Sequence, residues 1–113
     1  MSVVIVKDNI SRQEFEEARR DYETYIKITA DLERGIVALG GEYHADAEAV
    51  LLEQGSHQED IWGGGVNLET GQFETNAIVN LRAGKNDSTE ILDPKKRERF
   101  LELARKILAD YVK

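Results

Sequence analysis

From Tyr25 to Leu32 the chain alternates strictly, with Ile26, Ile28, Ala30 and Leu32 on one side and Lys27, Thr29 and Asp31 on the other. A period of two marks a strand with one buried face; a helix would scatter the same apolar residues around its circumference. On either side of this central region the period lengthens. Upstream, beyond a short buried strand at Val3 to Val6, Ser11 stands three residues before Glu14, the spacing of a capping box, with Ile10 and Phe15 at the two hydrophobic-staple positions. A helix therefore starts there, with Phe15, Ala18 and Tyr22 facing inward. Downstream, Asp93 precedes Pro94 at a first helical position, where a missing N–H costs nothing. Phe100, Leu103, Ala104, Ile107, Leu108 and Tyr111 then recur at helical spacing.

A chain that is helical at both ends and β between them is confined to α+β packings, because the sheet must hide its apolar face under the helices available. Three glycine-bearing dipeptides, Arg34-Gly35, Gln54-Gly55 and Thr70-Gly71, read as two-residue hairpin turns. They pair Leu32 with Val37, Ile26 with Tyr43, Leu52 with His57, Trp62 with Val79 and Glu59 with Arg82. In these registers one face collects Ile26, Ile28, Val37, Leu39, Trp62 and Val66, so Trp62 is expected to be buried. The other collects His44, Asp46, Glu48, Asn76, Asn80 and Arg82 and is expected to meet water or a partner. The expected fold is a two-layer α+β sandwich in a single domain over residues 1–113. In it a mainly antiparallel β-meander of five to six strands is covered on one face by an N-terminal and a C-terminal helix. A competing assignment stands beside it: Ala45 to Gln54, rich in Ala, Glu and Leu and followed by Gly55, also reads as a helix with a glycine C-cap.

With 113 residues the chain can bury about two thirds of its unfolded surface in one core. It has no cysteine, which removes disulfides and thiolate chemistry and fits a reducing compartment. The apolar run after Met1 is too short for a signal peptide, and no stretch reaches the roughly 18 apolar residues of a membrane span, so a cytoplasmic protein without membrane association is expected. The net charge of −7 disfavours nucleic acid. It is unevenly placed: residues 93–113 hold seven Lys/Arg against four Asp/Glu, whereas residues 1–92 hold eight against eighteen. A basic helix thus sits on an acidic body, which suits pairing between subunits, and a homodimer is expected.

On a strand, His44, Asp46 and Glu48 would project to one side about 6.5 Å apart, a row able to hold a hard metal ion or to act as an acid/base pair. Gly65 and Gly63 would lie opposite His44 and Asp46, leaving room for a ligand, with Asn76 and Asn80 as the nearest further donors. His57 stands about 26 Å from His44 along the paired strands, too far to share a site. Arg82 is placed to pair with Glu59 or, with Asn80, Asn86 and Ser88, to bind an anion. Gly63-Gly64-Gly65 lacks the lysine and helix start of a phosphate loop, so a bulge or a close approach by another chain is expected there. No serine stands in a nucleophile elbow.

The run GGEYHADAEAVLLEQGSHQEDIWG, with Asn80-Leu81-Arg82 and Asp93-Pro94, resembles a family of small prokaryotic proteins catalogued only as a domain of unknown function. That family has an aromatic-proline stretch after its Trp-Gly and a proline after Asn-x-Arg, where this chain has Gly64-Gly65-Val66 and Ala83. The resemblance implies a compact domain and brings no activity with it. The residues themselves point to a small acidic binding or assembly module that uses the polar sheet face or a sheet edge. It would take a protein or small-molecule partner and no cofactor. The alternative is a metal-dependent hydrolase holding a divalent metal ion on His44, Asp46 and Glu48, so whether the chain is an enzyme stays open.

Overall fold

The computed structural model describes residues 3–112. Five strands, β1 (Val3–Val6), β2 (Tyr25–Asp31), β3 (Ile36–Gly40), β4 (Ile61–Asn67) and β5 (Phe73–Glu74), form one antiparallel sheet in the order β1-β3-β2-β4-β5. Three helices accompany it: α1 (Arg12–Ala18), α2 (His44–Glu53) and α3 (Pro94–Leu108). None of them is long and apolar enough to cross a membrane, among the described residues.

Both terminal helices begin where their caps place them. Ser11 Oγ accepts from the Glu14 N–H at 3.1 Å while Glu14 Oε1 accepts from the Ser11 N–H at 3.0 Å. At α3, Asp93 Oδ1 accepts from the Lys95 N–H at 2.8 Å, ahead of Pro94. Phe15 and Ala18 of α1 and Phe100, Leu103, Ala104, Ile107 and Leu108 of α3 pack on Ile26, Ile28, Ala30, Val37, Leu39, Trp62 and Val66, forming the main core. α1 ends at Ala18, before Tyr22, which stays exposed. Tyr111 closes the far end by stacking on Phe15, with ring centroids 4.8 Å apart.

The segment after β3 is helix α2, so the strand reading of Glu42 to Leu52 and the Gln54-Gly55 hairpin are both corrected. Its apparent alternation consisted largely of alanines, whose small side chains fit either period, and Ala45 and Ala49 prove to be exposed. A Schellman motif ends the helix: Gly55 takes a φ of 98°, its N–H donates to Leu52 O at 3.1 Å, and the Ser56 N–H donates to Leu51 O at 3.0 Å. Ala47 and Leu51, one turn apart, pack on Ala38 and Ile61 on the sheet face opposite α1 and α3. The architecture is therefore helices on both faces of a five-stranded sheet, not a two-layer sandwich. The face expected to meet water is partly roofed by α2, and Thr29 and Asp31 are fully buried on it. Thr29 Oγ1 and Asp31 Oδ2 have no hydrogen-bond partner there, a cost that makes this second layer the weaker one.

The two true hairpins use a four-residue connection instead of two. Asp31 Oδ1 accepts from the N–H groups of Glu33 and Arg34 at 3.0 and 2.9 Å, and Gly35, at φ 69°, donates to Asp31 O. Asn67 Oδ1 does the same for Glu69 and Thr70 at 2.8 and 3.2 Å, with Gly71 at φ 76° donating to Asn67 O. Ala30 consequently pairs with Val37, and Val66 with Phe73. Each register is shifted by two from expectation. Because the shift is even, no side chain changes face. Trp62, opposite Ala30 and not Val79, is 4% exposed.

The expected final strand breaks after Glu74. Further along, the Asn80 carboxamide occupies the ladder position: Oδ1 accepts from the Gly63 N–H at 2.8 Å and Nδ2 donates to Gly63 O at 2.9 Å, the exchange a paired strand residue would make. Nδ2 also reaches Thr75 O and Thr89 O. The glycine run of β4 has a steric cause. A Cβ on Gly63 would meet Val79, Ala77 and His44 Cδ2; on Gly64, the Glu74 carbonyl and the Phe100 ring at 2.8 Å; on Gly65, the Tyr25 phenol. Close approach is the reason for the run, but by this chain's own residues and without a bulge.

Gly64→Ala is expected to lower stability by about 3 kcal/mol, since backbone and a buried ring both obstruct the new methyl. Gly84→Ala, with open space but φ +77°, should cost only about 1 kcal/mol. Urea denaturation of the two variants checks the contrast; equal losses would mean that the β4 glycines serve conformation and not close packing.

Candidate functional site

Two clefts hold residues that the sequence singled out, and a further one, of about 680 Å³, is lined by Lys7, Asp8, Arg34, Arg99, Glu102, Arg105 and Lys106. The first, of about 600 Å³, opens beside β5 and holds Tyr25, Lys27, His44, Glu74, Asn76 and Glu90. His44 is the first residue of α2, and its Nε2–H donates to Gly64 O at 2.7 Å. A carbonyl can only accept, so this contact fixes the proton on Nε2. Burial lowers the ring's proton affinity and nearby Lys27 lowers it further, while the Gly64 carbonyl opposes both. The imidazole is thus held neutral. Tyr25 OH donates to Glu74 Oε1 at 2.8 Å, and burial followed by that carboxylate push the phenol well above its usual range, keeping it a donor. Lys27 Nζ lies 4.6 Å from the Tyr22 ring centroid. Across the cleft Glu90 accepts from Asn76 Nδ2 at 2.6 Å and from Thr75 Oγ1 at 3.1 Å.

His44 and Asn76 are therefore brought together, as the sequence suggested, but Asp46 and Glu48 do not join them. On a helix Asp46 points about 200° around the axis from His44, and Glu48 lies one turn along. The single-sided row required a strand. Among the described residues no group of three or more His, Asp or Glu side chains is placed to hold a metal ion. Asn80 is fully buried and spent on Gly63, a structural residue and not an open donor. His57 is exposed at the start of a 3-10 turn.

The second cleft, of about 580 Å³, lies between β4, the 82–85 turn and the first half of α3, with Trp62 beside Arg82, Lys85, Lys95, Lys96 and Arg99. The expected Arg82–Glu59 ion pair is absent in that form. Arg82 donates instead to two main-chain carbonyls, Glu59 O at 3.2 Å and Ile61 O, while its guanidinium carbon sits 4.2 Å from the Trp62 ring centroid. Lys96 Nζ lies over the same ring at 5.0 Å. Burial lowers the Arg82 pKa, with Glu48 and Asp60 pulling it back up. The ion pairs among the described residues use Arg12, Arg19, Arg20 and Lys106, so none neutralises this cluster. Glu33, Glu59 and Asp60 also line the cleft without pairing. The α3 lysines were legible only as a solvated basic face; their convergence on Trp62 needed the β4 register.

A five-stranded antiparallel sheet with helices on both faces, carrying a polar cleft and a cationic cleft at Trp62, defines a small α+β protein. The chain belongs to the family described as Protein of unknown function (DUF5674), which it matches over residues 4–107. No curated protein and no solved structure matches it.

The neutral state of His44 gives stability a pH dependence. A depressed folded pKa means that the unfolded chain binds the proton first, so the stabilisation is present above the unfolded value of about 6.5 and is lost as pH falls from there through the folded pKa. Urea midpoints at pH 7.5 and 5.0 should show wild type losing stability relative to His44→Gln, which stays neutral and can still donate to Gly64 O. Parallel losses in the two proteins would mean that His44 is not the group responsible.

Proposed function

We propose that this protein is a small binding module whose ligand presents an anionic group to the cleft at Trp62. One observation carries the reading: on a chain of net charge −7, Arg82, Lys85, Lys95, Lys96 and Arg99 line a single cleft without an ion pair among them. The cations outnumber the carboxylates that line the same cleft, which favours entry of an anion. The flanking carboxylates Glu33, Glu59 and Asp60 restrict how such an anion can lie. This moves the binding surface expected at the polar sheet face to the side of the sheet, because α2 roofs that face. The metal-dependent hydrolase reading loses the strand row of His44, Asp46 and Glu48 that motivated it.

Trp62 reports on the cleft directly. A short polyglutamate should change its emission saturably at low ionic strength, and Lys95→Glu with Lys96→Glu should weaken that response at least tenfold, about 1.4 kcal/mol. No saturable response to any polyanion would remove the reading.

Assembly is favoured by a separate feature, the outer edge of the sheet. β1 is an edge strand of four uncharged β-branched residues, Val3 to Val6, three of them only half-buried. Such an edge invites pairing with a second copy. A homodimer is the expected result of sedimentation at high micromolar concentration; a monomer there would exclude this mode of assembly.

A further inference from the structure

We infer that the anionic partner is an amphipathic acidic segment of another protein, seated across Ile78, Leu81 and Leu92 with its carboxylates in the cationic cleft. This inference rests on the anion-binding reading above and adds the chemistry of the partner. Ile78 is 80% exposed, and Leu81 and Leu92 are each 54% exposed. Isolated apolar residues on a surface are ordinary, but these three belong to one hydrogen-bonded unit. The Leu81 N–H donates to Ile78 O at 2.9 Å. Asn86, itself 3% exposed, links Leu92 to the residue before Leu81: Nδ2 donates to Asn80 O at 3.0 Å and Oδ1 accepts from the Leu92 N–H at 3.1 Å. The main chain at Asn80 and at Leu92 is thus held by one buried carboxamide.

That unit is rigid for a segment without regular structure. Asn80 ties it to β4 through Gly63, and Asn86 Nδ2 also reaches Ser88 O and Glu90 O. The ordering of these side chains is completed on folding, which lowers what a partner must supply on binding. The apolar group also adjoins the cations in the chain: Arg82 follows Leu81, and Lys95 and Lys96 open α3 three and four residues after Leu92. The apolar residues thus stand within four residues of cations that line the cleft, close enough for one extended peptide segment to reach both.

Charge and polarity together select the partner. Inorganic phosphate or a polyphosphate would use the cations and leave the three apolar side chains in water. A single-stranded nucleic acid would require an open aromatic face for its bases, but Trp62 is 4% exposed with Arg82 and Lys96 over its ring. A peptide alternating Asp or Glu with Leu, Ile, Phe or Trp satisfies both parts of the surface.

The test is to pan a random twelve-residue peptide-display library on the folded protein and to measure the enriched peptides against two variants. These are Ile78→Ser with Leu81→Ser, and Lys95→Glu with Lys96→Glu, whose positions are exposed; unchanged circular dichroism and urea midpoints verify their folds. The expected result is enrichment of peptides that combine acidic with large apolar residues and bind each variant at least tenfold more weakly. Acidic peptides without apolar residues, indifferent to the serine substitutions, would overturn the inference and leave the anion cleft standing. Enrichment without acidic residues, or none at all, would overturn both readings. Self-association of the wild type that the serine substitutions abolish would make the occupant a second copy, and that too overturns the inference.

Discussion

The Asn80 carboxamide, exchanging two hydrogen bonds with the main chain of Gly63, is the contact on which the functional half of the molecule depends. It substitutes one side chain for a strand. Because Asn80 is fully buried, no water competes for Gly63, and truncation of the amide would strand a donor and an acceptor at about 1–3 kcal/mol each. Through it the irregular segment after β5 is fastened to the centre of the sheet, and Arg82, two residues on, is delivered over Trp62. Gly63 must be bare for this to occur, since any Cβ there would displace Val79, Ala77 and His44. One glycine and one asparagine thus fasten to β4 the segment that carries Arg82.

The parts of the fold legible in the sequence are those set by local chemistry. Ser11 with Glu14, and Asp93 with Pro94, determine helix starts through contacts three residues apart. The alternation of β2 survives because its apolar members are large: Ile26 and Ile28 each bury a full side chain. The alternation read in α2 failed because alanine contributes little burial and has no preference for strand. Gly55 decided the matter through its positive φ, a C-cap signal that a hairpin reading had also claimed. The hairpin registers slipped by two because Asp31-Leu-Glu-Arg-Gly35 and Asn67-Leu-Glu-Thr-Gly71 place the capping side chain four residues before the glycine. An acidic or amide residue at that spacing is a signal of the longer turn, and its presence twice in one chain made it readable.

The site was less legible, because its residues converge through tertiary packing. His44 was rightly set beside the β4 glycines, yet for a different reason: it arrives at the head of a helix and bonds Gly64 O, where a strand row would have kept Asp46 with it. The sequence offers Arg82 either a pairing with Glu59 or an anion shared with Asn80, Asn86 and Ser88, and the structure gives it main-chain carbonyls as partners. Lys95, Lys96 and Arg99 carry no pattern that separates a functional cation from a solvated one. Only the cleft they share with Trp62 does so.

How Arg82 is held bears on what the cleft can do. A guanidinium paired with a carboxylate is both positioned and neutralised, and an incoming anion must compete with the resident one. Carbonyl oxygens of Glu59 and Ile61 position the group through hydrogen bonds, the Trp62 ring adds a face without a formal charge, and Glu48 and Asp60 act on it without forming an ion pair. The cation is therefore ordered but still electrostatically available. Partial burial strengthens its field, for the medium around it screens less than water does. Lys96, exposed to solvent, lies over the same ring. An aromatic floor with carbonyl anchors fixes the geometry of positive charge without consuming it, and that property separates this cleft from the paired charges on α1.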